Sequence, residues 1–487
     1  MLTVLIGKEI RETVLDLRFV IVTVLFLVLI PLGMYVGRKD YERRLANYQS
    51  EYQIYRQHYG NKVGASVEAQ GFRPPPPLSM LALGLDPFLP DRAITSRSGL
   101  VRGAKEPGID NPQALLFGKA DFLFNVSFVV SLAALIFTFN RVSGEKERGT
   151  LRMMIANRVG RGDILLAKVV ANYVTLLIPF TVALLMALVI LNTSPDVSIF
   201  SRALLPALAA IIATTFLFIF VMVSLGVCLS AFTHSSVASI MVVFLVWVIF
   251  ALGIPKVSPM IAEVVYPVES RNVANLTQRI AREDIEKEYD QKKRQLYEKC
   301  RTEFGLDLGS VSSGPRDETE KKANAKYDQD VLTLNSECER SVADRVRQLE
   351  QDYRNKRSIQ TSVAVNLSRL SPVSCYTYLV SALSGTGTAE PDRFTRNADR
   401  YPDEVKRAIY DNLILKRYGN TRGGTATSEV TVAGFDRSKA SIPDMTYLYT
   451  SPAEALREGW ADALLLVVFS ILFFAVAFVR FSQYDVR

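Results

Sequence analysis

Histidine is nearly missing from this sequence: His58 and His234 are the only two in 487 residues. That excludes His-based catalytic triads and removes the usual ligands of a transition-metal centre. A phosphate-binding loop of the G-x-x-x-x-G-K-[ST] type is also missing. Its nearest approach, Gly118-Lys119, is followed by Ala120 and has Gln113 where the earlier glycine belongs. The chain therefore does not hydrolyse ATP by that route. Charge is absent from long stretches, although 22% of all residues are charged. Residues 19–37, 122–140, 169–192 and about 463–479 hold no Asp, Glu, Lys or Arg, and 203–255 holds none over 53 residues. Transporters driven by protons or ions place ionisable groups inside the membrane, because a buried charge is too costly to keep idle. Charge-free spans argue against that class.

About 20 apolar residues are needed to cross a bilayer as a helix. The uncharged runs therefore read as six spans, with 203–255 divided at the turn Thr233-His234-Ser235-Ser236. Trp460 and Arg480 bracket the last span as interface anchors. The first stretch is too long for a signal peptide and lacks a small-residue cleavage site, so it is expected to stay as a span. Six spans put both termini on one side. Counted near span ends, that side has twelve basic residues: Lys8, Arg11, Arg18, Arg141, Lys146, Arg148, Arg152, Arg158, Arg161, Lys168, Arg480 and Arg487. The short loop 193–202 on the other side has only Arg202. The positive-inside rule then places both termini and loop 141–168 in the cytoplasm. The net charge of +8 is mostly this bias. With no basic stripe carrying interleaved aromatics, nucleic acid is not an expected partner.

The fold class expected is an all-α polytopic membrane protein with an extracytoplasmic, mainly helical domain. Residues 1–18, with Leu2, Ile6, Ile10, Val14 and Leu17 at helical spacing, read as an amphipathic helix in the membrane interface or packed on another protein. Spans are expected at 19–37, 122–140, 169–192, 203–232, 237–255 and 461–480. Residues 38–121 and 256–460 are extracytoplasmic, 141–168 is a cytoplasmic loop and 481–487 a cytoplasmic tail. Tyr41, Leu45, Tyr48, Tyr52, Tyr55 and Tyr59 form a heptad seam. Such a seam implies a partner helix, or else a stacking platform for a ligand or sugar. The helix should end near Gly60, and 61–120 reads as irregular. Residues 271–304 and a second run around Tyr327–Tyr353 read as a coiled-coil hairpin joined by the Gly- and Ser-rich 305–315. Residues 359–458 read as a mixed subdomain with a short strand at 428–433. Cys228 lies in a span. Of Cys300, Cys338 and Cys375, the pair Cys300 and Cys338 is the candidate disulfide, since both sit on apolar stripes. A hairpin turning near residue 310 would, however, set Cys300 opposite about residue 320.

The loop SGEKERGTLRMMIANRVGRGDILLAK, residues 143–168, resembles the signature between the second and third spans of ABC type-2 transporter permeases. The matching positions are Glu145, Glu147, Arg148, Gly149, Thr150, Leu151, Arg161 and Lys168; Arg158 and Gly160 depart from it. FVRFSQYDVR (478–487) and NLSRLSPVSCYTY (366–378) are similar to the subgroup with large extracytoplasmic insertions. The resemblance implies a permease subunit, an exporter, in the inner membrane of a prokaryote. It implies a dimer with a second permease copy, bound to two ABC ATPase subunits. No cofactor would be bound by this chain; ATP and Mg would reside in the ATPase. The helix within 143–156 would be the coupling contact, with Glu145, Glu147, Arg148 and Arg152 reaching the ATPase and Gly149 permitting a bend. Alternatives are a mechanotransmitting subunit that drives an extracytoplasmic partner or accessory protein, and a non-transporting scaffold or receptor.

Overall fold

The structure, a computed structural model, describes residues 2–59, 69–95, 101–104, 120–156, 160–193, 200–304, 318–411, 413–420, 427–435 and 443–483. It divides into two compact units, Met1–Val257 with Leu367–Arg487, and Ser258–Asn366. Six helical segments are long and apolar enough to cross a membrane.

In the first unit, α1 (Leu2–Val14) precedes α2 (Leu17–Tyr59), a single helix of 43 residues. Span 1 and the tyrosine helix are thus one continuous rod. The second span is α3 (Phe122–Phe124), a π-helical stretch (Asn125–Val130) and α4 (Ser131–Thr138). Two short helices follow, α5 (Ser143–Arg148) and α6 (Thr150–Ala156). The third and fourth spans are α7 (Arg161–Asn192) and α8 (Leu205–Phe232). The fifth is α9 (Ser236–Val248), a π-helical stretch (Ile249–Gly253) and α10 (Ile254–Val265). Burial is uneven: the apolar stretch of the second span is 72% buried and that of the fifth only 17%. The second and fourth spans form the middle of the core. Their close approach depends on Gly226, where a Cβ would stand 1.8 Å from Thr138 Oγ1.

The second unit holds the hairpin, α11 (Arg271–Phe304) and α12 (Glu318–Ser368). Its antiparallel register is read from its bonds. Arg271 donates to both Glu350 oxygens at 3.0 Å, and the Tyr289 and Ser341 hydroxyls meet at 3.1 Å. The Tyr297 and Tyr327 rings lie 6.1 Å apart. In that register Cys300 faces the turns near residue 328, while Cys338 faces those near residue 290, beside Glu286 and Asp290. The expected Cys300–Cys338 disulfide is therefore corrected: both are free thiols. An offset of about ten helical residues is about 15 Å, beyond the reach of a disulfide.

The first unit is completed by a buried helix α13 (Pro372–Leu383), by α14 (Glu390–Asp411), and by the sixth span, α15 (Pro452–Ser482). Segment 61–120, expected to be irregular, contains a three-stranded antiparallel sheet: β1 (Ala69–Phe72), β2 (Arg92–Thr95) and β3 (Val101–Ala104). Strands of four residues are too short to show an alternating pattern. Phe394, Ala398 and Tyr401 of α14 share a buried cluster with Tyr55, Ala69, Phe72, Ala93 and Met445. Tyr48, Tyr52 and Tyr55 of the seam are therefore covered by this sheet, α14 and Met445, not by a coiled-coil helix, while Tyr41 and Leu45 pack in the main core. The seam's register is held by the Gln70 N–H donating to the Tyr55 hydroxyl at 2.9 Å. β4 (Leu413–Asn420) pairs with β5 (Thr427–Phe435), which contains the strand expected at 428–433. Gly423-Gly424 lies outside the described residues.

Two predictions follow from the packing. Replacing Gly226 with Leu should cost about 1–3 kcal/mol by overpacking, read as a lowered melting midpoint of the detergent-solubilised protein. In the hairpin, burial alone would raise the Glu350 carboxyl, but hydrogen bonds from Arg271, Gln278 and Arg354 outweigh it and hold it below its ordinary value. A depressed folded-state value stabilises fully above the unfolded carboxylate range, about pH 4.3. That stabilisation is lost as pH falls through the folded value. Hairpin stability should therefore fall below about pH 4, and Glu350→Gln should flatten that dependence in a circular-dichroism melt.

Candidate functional site at the basic end of the bundle

Helix α5 ends because Gly149 takes a left-handed conformation, φ +73°. Only glycine adopts this at little cost, and the chain turns there into α6. A Cβ at Gly149 would meet nothing within 4 Å, so its backbone angle, not crowding, calls for glycine.

Every charge on α5 has a partner within the unit. Lys168, on α7 and 1% exposed, donates to Glu9 of α1 at 2.8 Å and to Glu145 of α5 at 2.5 Å. These three buried side chains join the N-terminal helix, the loop helix and the third span. Lys146 donates to the carbonyls of Ala231 and Thr233, at the C-terminal end of α8. Glu147 accepts from the Ser236 N–H at 2.9 Å and its hydroxyl at 2.8 Å, at the N-terminal end of α9. Adjacent residues of opposite sign thus meet helix ends of opposite polarity, each in the favourable sense. The Ser230 hydroxyl accepts from the Val142 and Ser143 N–H groups at 3.1 and 3.0 Å. Farther round, Arg18 lies 4.7 Å from the Phe139 ring and Arg161 donates to the Ser482 carbonyl. The α5 elbow is bonded into the loop end of the bundle, not appended to it.

This arrangement re-sorts the site residues expected from the sequence. Glu145 is 8% exposed and Leu151 fully buried, so neither presents its side chain outward. The expected outward contact of Glu145 is corrected, because its carboxylate is consumed by Lys168. Glu147, Arg148, Thr150 and Arg152 are exposed, together with Met153 at 71%. Thr150 donates to the Glu145 carbonyl at 3.4 Å and Arg148 to that of Gly144 at 3.1 Å. His234 is exposed in the turn between α8 and α9.

Three features escaped the sequence reading. Lys168 counts toward orientation and matches the permease signature, but neither reading implies that it is buried with Glu9. A lysine immediately before an apolar run gives no sign of its burial. Asp462, 2% exposed at the start of the sixth span, receives Arg369 through two bonds of 2.7 and 3.0 Å. Helix α13 packs on α8 and α15 in the core. Tyr376 stacks on Phe218 at 4.4 Å, its hydroxyl 3.0 Å from Thr215 Oγ1. Its twelve residues are too few for a span, but Ser371-Pro372 is an N-terminal signal that marks it. Ser371 caps the helix and donates to the carbonyl of Phe250 in the fifth span's π-helical stretch.

Replacing Lys168 with Met would leave Glu9 and Glu145 buried without their cation. Breaking such a group by removing one partner costs about 3–5 kcal/mol. The variant should show a correspondingly lower melting midpoint in detergent, whereas Lys168→Arg, which keeps the charge, should lose less.

The chain was compared with known families and with curated proteins. A family model described as ABC-2 family transporter protein matches residues 3–486. No curated protein matches the chain. With six spans and a match along nearly its whole length, the chain belongs to the ABC-2 transporter family, as a multi-pass membrane permease of an ABC transporter that works with an ABC ATPase subunit.

Proposed function

We propose that this permease is an exporter subunit of the inner membrane, with both termini and the α5–α6 elbow in the cytoplasm. It acts as a dimer with two ATPase subunits, which carry ATP and Mg. The exposed side of the elbow, with Glu147, Arg148, Thr150, Arg152 and Met153, docks on the ATPase. The observation that carries this reading is the bonding of α5: Glu145 to Lys168, Lys146 to the end of α8 and Glu147 to the start of α9. A displacement of the elbow by the ATPase is passed directly to three spans and α1. Gly149 supplies the joint between the anchored α5 and the outward-facing α6.

A second reading is favoured by the hairpin. At 34 residues, α11 is about 50 Å long, a lever suited to an extracytoplasmic partner. In this reading ATP hydrolysis works the hairpin and moves no substrate through the spans.

One experiment addresses both. Arg148→Glu with Arg152→Glu should lower co-purification of the ATPase by about tenfold, the equivalent of losing one charge-assisted contact of about 1.4 kcal/mol. Unchanged capture and unchanged transport-linked ATP hydrolysis would sink the docking assignment. In the same preparation, removing the hairpin tip should spare substrate export in the exporter reading and abolish only partner activation in the lever reading.

A further inference from the structure

Helix α11 has two faces. Ala274, Gln278, Ala281, Ile285 and Tyr289 are buried or half-buried. At about 100° per residue, the opposite side presents Val273, Leu276 and Ile280. These three are 46, 50 and 49% exposed, and all lie beyond the end of the fifth span at Val265. Bilayer contact explains exposed apolar residues within a span, but this stripe follows the span.

We propose that this stripe pairs with the same stripe of a second copy of the chain. In the heptad pattern Val273, Leu276 and Ile280 take positions a, d and a. Arg279 then stands at g and Asp284 at the following e. In a parallel pair, g of one helix meets the following e of its partner, so Arg279 and Asp284 attract in both directions. An antiparallel pair sets g against g and e against e, so Arg279 and Asp284 would not meet. The charges therefore select the parallel arrangement, the one in which a closed two-fold places each residue opposite its own copy. Two copies of one membrane chain, inserted in the same sense, share such an axis along the membrane normal. Within its own helix Asp284 has only an exposed 3.9 Å contact to Lys287, too weak to hold it back. The seam stops after Ile280, because Glu283 and Lys287 occupy the next d and a positions. It is a contact of about two turns that aligns a dimer held elsewhere, and so it rests on the dimer proposed above.

The test is site-specific cross-linking of the full chain in native membranes, with Cys228, Cys300, Cys338 and Cys375 replaced by Ala. Val273→Cys, Leu276→Cys and Ile280→Cys should each give at least about fivefold more disulfide-linked dimer than the exposed control Arg282→Cys, since bridging needs the short Cβ separations of a seam. Arg279→Asp should reduce the Leu276→Cys dimer, and Asp284→Arg in the same chain should restore it. Equal cross-linking at Leu276 and Arg282, or none at the three seam positions, would overturn the contact. Co-purification of two differently tagged copies separates the cases. If it persists without the cross-link, the α11 seam fails and the dimer stands. If both are lost, the dimer itself fails.

Discussion

The buried group Lys168, Glu9 and Glu145 is the constraint on which the rest of the loop end depends. Two carboxylates on separate helices cannot both stay ionised in a buried site unless a cation lies between them. Lys168 supplies that cation from the first turns of the third span. Its position fixes where α1 lies, because Glu9 must reach inward from it. It also fixes the roll of α5, because Glu145 must point the same way. Once α5 is rolled so, Lys146 and Glu147 project toward the turn between the fourth and fifth spans, and Arg148 toward solvent. One ion group thereby sets the roll of a six-residue helix, with Glu145 buried and Glu147 and Arg148 left exposed.

The second level of organisation uses helix ends in place of side-chain partners. The turn Thr233-His234-Ser235 exposes the last carbonyls of α8 and the first N–H groups of α9 side by side. Lys146 satisfies the first and Glu147 the second, so two consecutive residues of opposite sign clamp both helices at once. The serines add a neutral layer below, with Ser230 receiving two backbone N–H groups and Ser239 donating to the Phe139 carbonyl. Hydrogen bonds to backbone at helix termini are local and directional.

Much of this protein was legible in its sequence, and the pattern of what was not has a physical cause. The spans were readable because charge is absent over runs of about twenty residues, and the hairpin because apolar residues recur at threes and fours. The sheet at 69–104 was not, since each strand has four residues. Nor was α13, whose twelve residues are too few for a span and whose burial depends on Phe218 and Thr215 of α8. The seam of tyrosines was expected to need a partner helix, but the cover over Tyr48, Tyr52 and Tyr55 is a sheet and α14, which heptad spacing does not distinguish from a coiled coil. At the loop, Glu145 and Glu147 look alike in sequence. Only the position of Lys168 separates an inward carboxylate from an outward one.

The spans are unevenly buried, and under the proposed coupling this would decide which of them yields first. The second and fourth spans are 72 and 61% buried over their apolar stretches, so displacing either one disturbs the whole core. The fifth, at 17%, gives up the least packing when it moves. Glu147 is bonded to its first residue, Ser236, and the Ser371 hydroxyl meets it again at the Phe250 carbonyl, in its π-helical stretch. Between these two ties the span runs through Ser239 and Val243, its only fully buried residues in α9. In the proposed coupling, motion entering at Glu147 would pass along the span whose packing resists it least, with Ser371 as its second tie.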